Sequence, residues 1–285
     1  MPTAPAAAPI AHYENFPVAS WLCPPHLRAP IAAIYHFART ADDIADEGDA
    51  SPAQRLARLQ AYRQALQQAA DGGTAFADWP QVFAPLQWAI QQHALPVPLL
   101  HDLLDAFVQD IEKTRDRAGY ADEAALLHYC RRSANPVGRL LLHLYGVHDA
   151  EALAQSDAIC TALQLINFWQ DLSVDIPRGR YYLSDAARAQ FGVPQADVLA
   201  QRQTEDATKL IAASADAARA SMLRGAPLVH RLPGRAGWEL RLMVQGGLRI
   251  LDKIAALDYH TLNQRPVLRA WDFPVLLWRA WRMHK

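Results

Sequence analysis

Two short stretches carry carboxylates at spacings that can do chemistry. In IYHFARTADDIADEGD, Tyr35, Arg39, Asp42 and Asp46 follow at intervals of four, three and four, so a helix would put them on one face, with Asp43 beside them. In QLINFWQDLSVDIPRGRYYL, Asn167, Asp171 and Asp175 stand at i, i+4 and i+8, and Gln164 extends the stripe back by one turn. Aspartate is a poor helix-interior residue, and like charges one turn apart repel. Five such aspartates approach ~3 kcal/mol, a large share of a ~5–15 kcal/mol stability. Solvent exposure with arginine partners would explain either cluster alone as well as function would. Two clusters, each beside arginine on an Ala/Leu/Ile-rich helix, point to function.

The chemistry that wants this arrangement is diphosphate binding through magnesium. Carboxylates one helical turn apart are ~6 Å apart along the axis, and Mg–O bonds are ~2.1 Å. Two facing helices could hold Mg²⁺ ions whose other ligands are water and diphosphate oxygens. Arg39, Arg178 and Arg180 could neutralise the departing diphosphate. What remains after such a departure is a carbocation, which needs a dry cavity lined by apolar and aromatic groups.

The elements that must position these residues read as helices throughout. Apolar residues recur at three- and four-residue spacing, and alternating runs are missing. The pattern predicts helices near 25–46, 52–70, 79–93, 97–115, 122–146, 151–175, 195–222, 236–258 and 270–283. Breaks fall at Asp71-Gly72-Gly73, Leu95-Pro96-Val97-Pro98, Pro177-Arg178-Gly179 and Leu232-Pro233-Gly234. Pro25 and Pro52 suit first turns. No linker or repeat separates domains. The expectation is an all-α, single-domain bundle over 13–285, with a central cavity between two aspartate-bearing helices. Residues 1–12, MPTAPAAAPIAH, read as a disordered Pro/Ala lead-in without the basic start of a signal peptide.

Composition narrows the classes further. With 28 Lys+Arg against 29 Asp+Glu the net charge is −1, which argues against a nucleic-acid binder. The acids are 22 Asp to 7 Glu and the bases 24 Arg to 4 Lys. Arg is the better bidentate phosphate partner and Asp a short metal ligand, so the skew agrees with the motifs. Three cysteines make no disulfide framework and read as core filler in a reducing compartment. The eleven histidines form no zinc spacing, and His36 and His143 read as core histidines. No Glu has His three residues on, against a di-iron bundle, and no G-x-G-x-x-G follows a strand.

No run approaches the ~18–20 apolar residues of a membrane-spanning helix. The oiliest segment, AWDFPVLLWRAWRMHK, is interrupted by Asp272, Pro274 and Arg279. Its Trp271, Phe273, Trp278 and Trp281 beside Arg269, Arg279, Arg282 and Lys285 suit either a lipid interface or a last helix packed on the bundle. The protein is therefore expected to be cytoplasmic, with peripheral contact to the inner membrane face as the alternative.

ARTADDIAD, QLINFWQDLSVDIPRGRYYL and, between them, YCRRSANPVG together resemble the squalene/phytoene synthase family, the head-to-head prenyl synthases, from roughly Phe16 to Arg265. The resemblance implies an all-α fold, Mg²⁺-dependent ionisation and a prenyl diphosphate substrate of farnesyl type. It makes Asp42, Asp46, Asp171 and Asp175 the metal aspartates. Arg39 becomes a diphosphate contact and Asn167 a metal or diphosphate neighbour. Tyr129 opens the middle motif, and Asp110 matches an aspartate on the cavity helix before it. RILDKIAALDY matches the late helix, with Arg265 after it as a diphosphate contact.

Three departures bear on the substrate. Where the family often has Lys-Ser-Phe, the chain has Glu14-Asn15-Phe16, followed by Pro17. Ala-Gly-Thr-Val-Gly becomes Ala134-Asn135-Pro136-Val137-Gly138, and a late Tyr becomes Gly247. Pro136 would free a helical carbonyl, and Asn135 would add a polar group at the cavity wall, where it could position water. ENFPVAS with SANPVG resembles the bacterial hopanoid-pathway branch of hydroxysqualene synthases, which ionise presqualene diphosphate and let water capture the cation. That branch implies no NADPH and neighbouring pathway enzymes as partners. The alternatives are condensation of two farnesyl diphosphates to presqualene diphosphate, squalene or a phytoene-like product, and a silent helical partner of another prenyl synthase.

Overall fold

Pro and Ser punctuation sets the first helices. In the computed structural model, which describes residues 23–73, 76 and 78–283, α1 runs Pro25–Asp46 and α2 Pro52–Ala70. Pro25 and Pro52 occupy first turns, where the missing N–H costs nothing. Ser51 caps α2 reciprocally: its Oγ accepts from the Gln54 N–H, and Gln54 Oε1 accepts from the Ser51 N–H at 2.8 Å. The lead-in, Glu14, Asn15, Phe16, Pro17 and Lys285 lie outside the described residues.

The described residues contain helices and no strand. They group into two compact units, those up to Glu112 with Arg139–His148, and Lys113–Gly138 with those from Asp149 onward.

In the first unit α1 packs on α2 and on α3 (Pro80–His93), with α4 (Val97–Asp116) following. Leu27, Ile31, Ile34, Phe37, Ala41 and Ile44 recur at helical spacing on α1 and are buried. Phe37 stacks on Tyr62 at 5.3 Å, and Phe83 tilts against Tyr62 at 4.7 Å. The Tyr62 hydroxyl donates to the Phe37 carbonyl at 3.0 Å, so this buried polar tip is satisfied. Burial pushes that phenol's pKa upward, and it stays neutral. His143, read as a core histidine, is half-buried instead, and its Nε2 donates to the His93 carbonyl at 2.8 Å.

The second unit is built on α7 (Ala150–Gln170), against which α11 (Glu205–Gly225), α12 (Gly234–Ala256) and α5 (Glu123–Ser133) pack. Asp149 and Thr204 cap α7 and α11 with side-chain oxygens. A single predicted helix over 122–146 is instead two, α5 and α6 (Asn135–Leu144), parted at Ala134. Pro136 is the reason: it cannot donate into α5 but fits the first turn of α6. Two residues on, a Cβ at Gly138 would collide with Ser156 and Cys160 of α7, so the motif needs glycine there for close approach.

The predicted 151–175 and 195–222 helices are also interrupted. The first ends at Asp171 and resumes as the single turn α8 (Leu172–Asp175). The second is α10 (Gln195–Leu199) and α11, separated by a turn in which Gln201 has φ of +49°. An unpredicted short helix, α9 (Asp185–Gln190), is capped by Ser184. The last helix is α13 (Asp272–Arg282), which packs on α12.

Candidate active site

The first acidic stripe lies on the side of α1 away from its buried residues. Tyr35, Arg39 and Asp42 are half-buried, while Asp46 is exposed. Tyr35 sets its ring edge-on to His36 at 5.6 Å. Arg39 gathers the acids: one guanidinium nitrogen donates to Asp42 at 3.3 Å, the other to Glu47 at 2.8 Å, and that second nitrogen also lies 2.8 Å from Asp43. The like-charge repulsion on this helix is thus offset by an arginine on the same helix. Such pairs are worth only ~0.2–1 kcal/mol at a wet surface, so Arg39 is cheaply exchanged onto a stronger anion.

The second stripe survives the helix break. Asp171 N–H donates to the Asn167 carbonyl at 2.9 Å, and Asp175 N–H to the Asp171 carbonyl at 2.8 Å. The three residues therefore remain one turn apart on a continuous backbone ladder, although the α-helix ends between them. Asn167 is exposed, and Asp171 and Asp175 are half-buried. After Asp175 the chain turns through Gly179, whose φ is +79°, and the N–H groups of Arg178 and Arg180 both donate to the Asp175 carbonyl at 3.0 Å. Two arginines are thereby fixed within one turn of the last aspartate.

Arg265 completes this cluster from far along the chain. Its Nε and Nη2 donate to the two oxygens of Asp171 at 2.6 and 3.0 Å, a planar fork on a carboxylate. The Asp171 bond raises the arginine's pKa further; desolvation opposes this, and Asp175 adds to it. Sequence reasoning placed Arg265 against diphosphate; here it holds the aspartate that was to bind metal.

Three positioning groups went unnoticed in the sequence. Gln170 is buried and donates to the Pro266 carbonyl at 2.7 Å, tying the Arg265 loop to α7. Gln201 donates to the carbonyls of Ser173 and Leu262, each at 3.1 Å, and clamps α8 to the same loop. Behind the stripe, Phe168 stacks on Tyr182 at 3.6 Å, and Tyr120 and Tyr129 close the pile. Lys113 sits over Tyr120 at 4.4 Å. The signal for Gln170 was a polar residue at an apolar phase of α7. The signal for Tyr182 was the Tyr pair ending the motif.

Tyr129 is thus buried among aromatic rings. Asn135 is also buried, and its Oδ1 accepts from Thr161 Oγ1 at 3.0 Å, which fixes the direction of the amide. Asp110 is half-buried on α4. Gly247 leaves no vacancy at the position the resemblance pairs with a tyrosine: a Cβ there would lie 2.8 Å from Met222 Cε, 3.1 Å from Leu163 Cδ2 and 3.2 Å from Ile166 Cδ1. Two of the cysteines are held as thiols by their surroundings. Burial pushes Cys130 up to about 12, and burial with Asp157 nearby pushes Cys160 up to about 11.

Both stripes offer only hard oxygen donors, the set that suits Mg²⁺ and excludes softer ions. Among the described residues no three His, Cys, Asp or Glu side chains already converge on one metal position. At Asp171 a cation would have to share or displace the Arg265 fork, and a diphosphate could take up the released guanidinium. The donor chemistry fits the ion.

The squalene/phytoene synthase family model matches residues 10–272. A hydroxysqualene synthase of Zymomonas mobilis is 40% identical over 164 residues, 57% of this chain, and that match spans about half (51%) of the relative. A hydroxysqualene synthase of Sinorhizobium fredii is 32% identical over 257 residues, covering 90% of this chain and 82% of the relative. The crystal structure of squalene synthase HpnC from Alicyclobacillus acidocaldarius superposes with a TM-score of 0.79 at 37% identity, over 87% of this chain and 90% of that one. With its acidic stripes, its arginines and its all-α fold inside the matched span, the chain belongs to the squalene/phytoene synthase family.

Proposed function

We propose that the protein is a hydroxysqualene synthase: it ionises presqualene diphosphate and lets water capture the rearranged cation. The observation that carries this is the Asn167–Asp171–Asp175 ladder, with the Arg265 guanidinium forked on Asp171 and the backbone of Arg178 and Arg180 tied to the Asp175 carbonyl. Oxygen donors beside a guanidinium group, with two more arginines one turn away, suit a diphosphate. Likeness to hydroxysqualene synthases supports this reaction within the family. Asp42 and Asp46 on one stripe, and Asn167, Asp171 and Asp175 on the other, would hold Mg²⁺. When bound, the ion supplies charge neutralisation that makes diphosphate a good leaving group.

The chain's own groups do the rest. Arg178, Arg180 and Arg265 neutralise the diphosphate as its C–O bond breaks and the electron pair leaves with oxygen, and Arg39 is a diphosphate contact on its own stripe. Asn135, oriented by Thr161, positions the water whose oxygen bonds to the cation and whose proton passes to solvent or diphosphate. Glu14, where relatives often carry lysine, fits a substrate with one diphosphate rather than two. No hydride is required, so the reaction proceeds without NADPH.

The test is product analysis by gas chromatography–mass spectrometry with Mg²⁺ and no NADPH, giving presqualene diphosphate or farnesyl diphosphate as sole substrate. Hydroxysqualene from presqualene diphosphate alone is expected. Consumption of farnesyl diphosphate would instead make the protein a condensing synthase. Asn135→Ala with unchanged product and rate would remove Asn135 from the mechanism.

A further inference from the structure

The last helix is apolar on two sides, and the fold uses one of them. α13 turns Asp272, Leu276 and Ala280 inward, all buried. Asp272 is fully enclosed and accepts from Arg249 Nε, Lys253 Nζ and the Arg269 N–H, each at 2.8 Å. Arg279, near the inward side, reaches Asp252 at 2.6 Å, and Arg219 reaches its other oxygen at 2.9 Å. These pairs fix the rotation of α13 on α12.

The outward half therefore stays outward. Trp271, Phe273, Leu277, Trp278 and Trp281 are 54–61% exposed, and at 100° per residue they share that half with Pro274. The outward charges are Arg269 and Arg282, held over Trp271 at 5.0 Å and Trp278 at 4.9 Å. Between residues 269 and 283 the one acid is the enclosed Asp272. This face is aromatic and cationic with no exposed carboxylate.

We propose that the outward face of α13 docks the protein on an anionic lipid bilayer, the helix lying in the plane of the interface. Tryptophan beside arginine is the pairing that suits headgroup depth, where the ring is half solvated and the guanidinium meets phosphate. Each basic group near such a surface adds to the attraction. At about 16 Å the helix is too short to span a bilayer, and no helix among the described residues is long and apolar enough to cross one. A second copy covering this face by two-fold symmetry would bring like charges together, with no exposed acid on the segment to meet them. The proposal rests on this surface alone, independent of the reaction assigned above.

Flotation of the full chain with vesicles tests it, comparing equimolar phosphatidylglycerol and phosphatidylcholine with phosphatidylcholine alone. The wild type is expected to float with the anionic vesicles and to be released by high salt. The W271S/F273S/W278S variant should lose at least tenfold in bound fraction with an unchanged circular dichroism melt. R269E/R282E leaves every apolar group in place and should lose binding severalfold, which keeps the test decisive if the triple variant folds poorly. A wild type that stays unbound with both vesicles overturns the proposal, as does a well-folded triple variant that floats normally. A triple variant that only turns a dimer into a monomer in light scattering would make a second copy the occupant, and overturns it too.

Discussion

The acidic stripes of α1 and of α7–α8 carry the same residue types yet are held by different means. On α1 the cation is local: Arg39 lies three to eight residues from the carboxylates it touches, all on one helix end. On α7–α8 the cation comes from 94 residues away, and the loop that brings it is fastened by Gln170 and Gln201. The first stripe forms whenever the helix forms. The second exists only when the tertiary structure does, so it can be tuned, and broken, from a distance.

Removing one carboxylate from each stripe separates chemistry from stability. Asp42→Asn and Asp171→Asn are both expected to lower kcat/KM by about 10²–10³ or more, as loss of a group acting on developing diphosphate charge does. Their urea denaturation should diverge. Asp42→Asn relieves repulsion and leaves stability within ~0.5 kcal/mol, whereas Asp171→Asn strips the Arg265 fork and costs about 1–3 kcal/mol. Retained turnover in Asp171→Asn would remove the metal argument altogether.

Conservative exchange of the cations sharpens the contrast. Arg39 contacts separate carboxylates as a point charge would, and Lys can do the same. Arg265 makes a planar fork that Lys cannot reproduce. We expect Arg265→Lys to lose about 10–100-fold in kcat/KM, the range of lost support around a metal ligand, and Arg39→Lys less than about 5-fold. Equal losses would mean that reach along the chain has no bearing on function.

Asp272 is the extreme case of an ion pair assembled by tertiary structure. Burial works to raise its pKa, but Lys253, the Arg269 N–H and Arg249 outweigh it and hold the carboxyl down at about 2. A depressed carboxyl contributes stability that is fully present above its unfolded value of about 3.9 and is lost as pH falls through the folded value. The stability gap between wild type and Asp272→Asn should therefore be constant from pH 8 to 5 and close between pH 4 and 2. At neutral pH it should be about 2 kcal/mol, below the ~3–5 kcal/mol of a fully buried broken pair, because Arg249 and Lys253 keep some water. Urea midpoints across that range check it.

The same division decides what was legible in the sequence. α1 and α2 have the predicted limits because Pro25, Ser51 and Pro52 write them locally. The breaks at Ala134, Asp171 and Gln201 were missed. Helical periodicity runs through all three, and only Pro136 announced its break, as a freed carbonyl rather than a new helix. Within the site, spacing put the α1 acids and the Asn167–Asp175 ladder on their faces, since i, i+4 survives a change of helix type. The Arg265–Asp171 fork was invisible, because no pattern in a single chain pairs residues across such a distance. The tail offered two readings, lipid interface or packed helix. Its inward face is packed on α12, and its outward aromatic face stays exposed.

The smallest effect asks whether the distant fastening matters by itself. Gln170→Ala removes a buried donor from the Pro266 carbonyl and touches neither Asp171 nor Arg265 directly. Leaving that carbonyl unpaired costs about 1–2 kcal/mol, and the freed loop should raise KM more than it lowers kcat, since Arg265 loses position rather than charge. The matching change on the other stripe, Glu47→Ala, removes an exposed partner of Arg39 and should stay within ~0.5 kcal/mol with unaltered kinetics. Steady-state kinetics with urea unfolding on the two variants suffices. If Gln170→Ala leaves KM unchanged while lowering stability, the glutamine braces α7 alone and the Arg265 loop is held by Gln201.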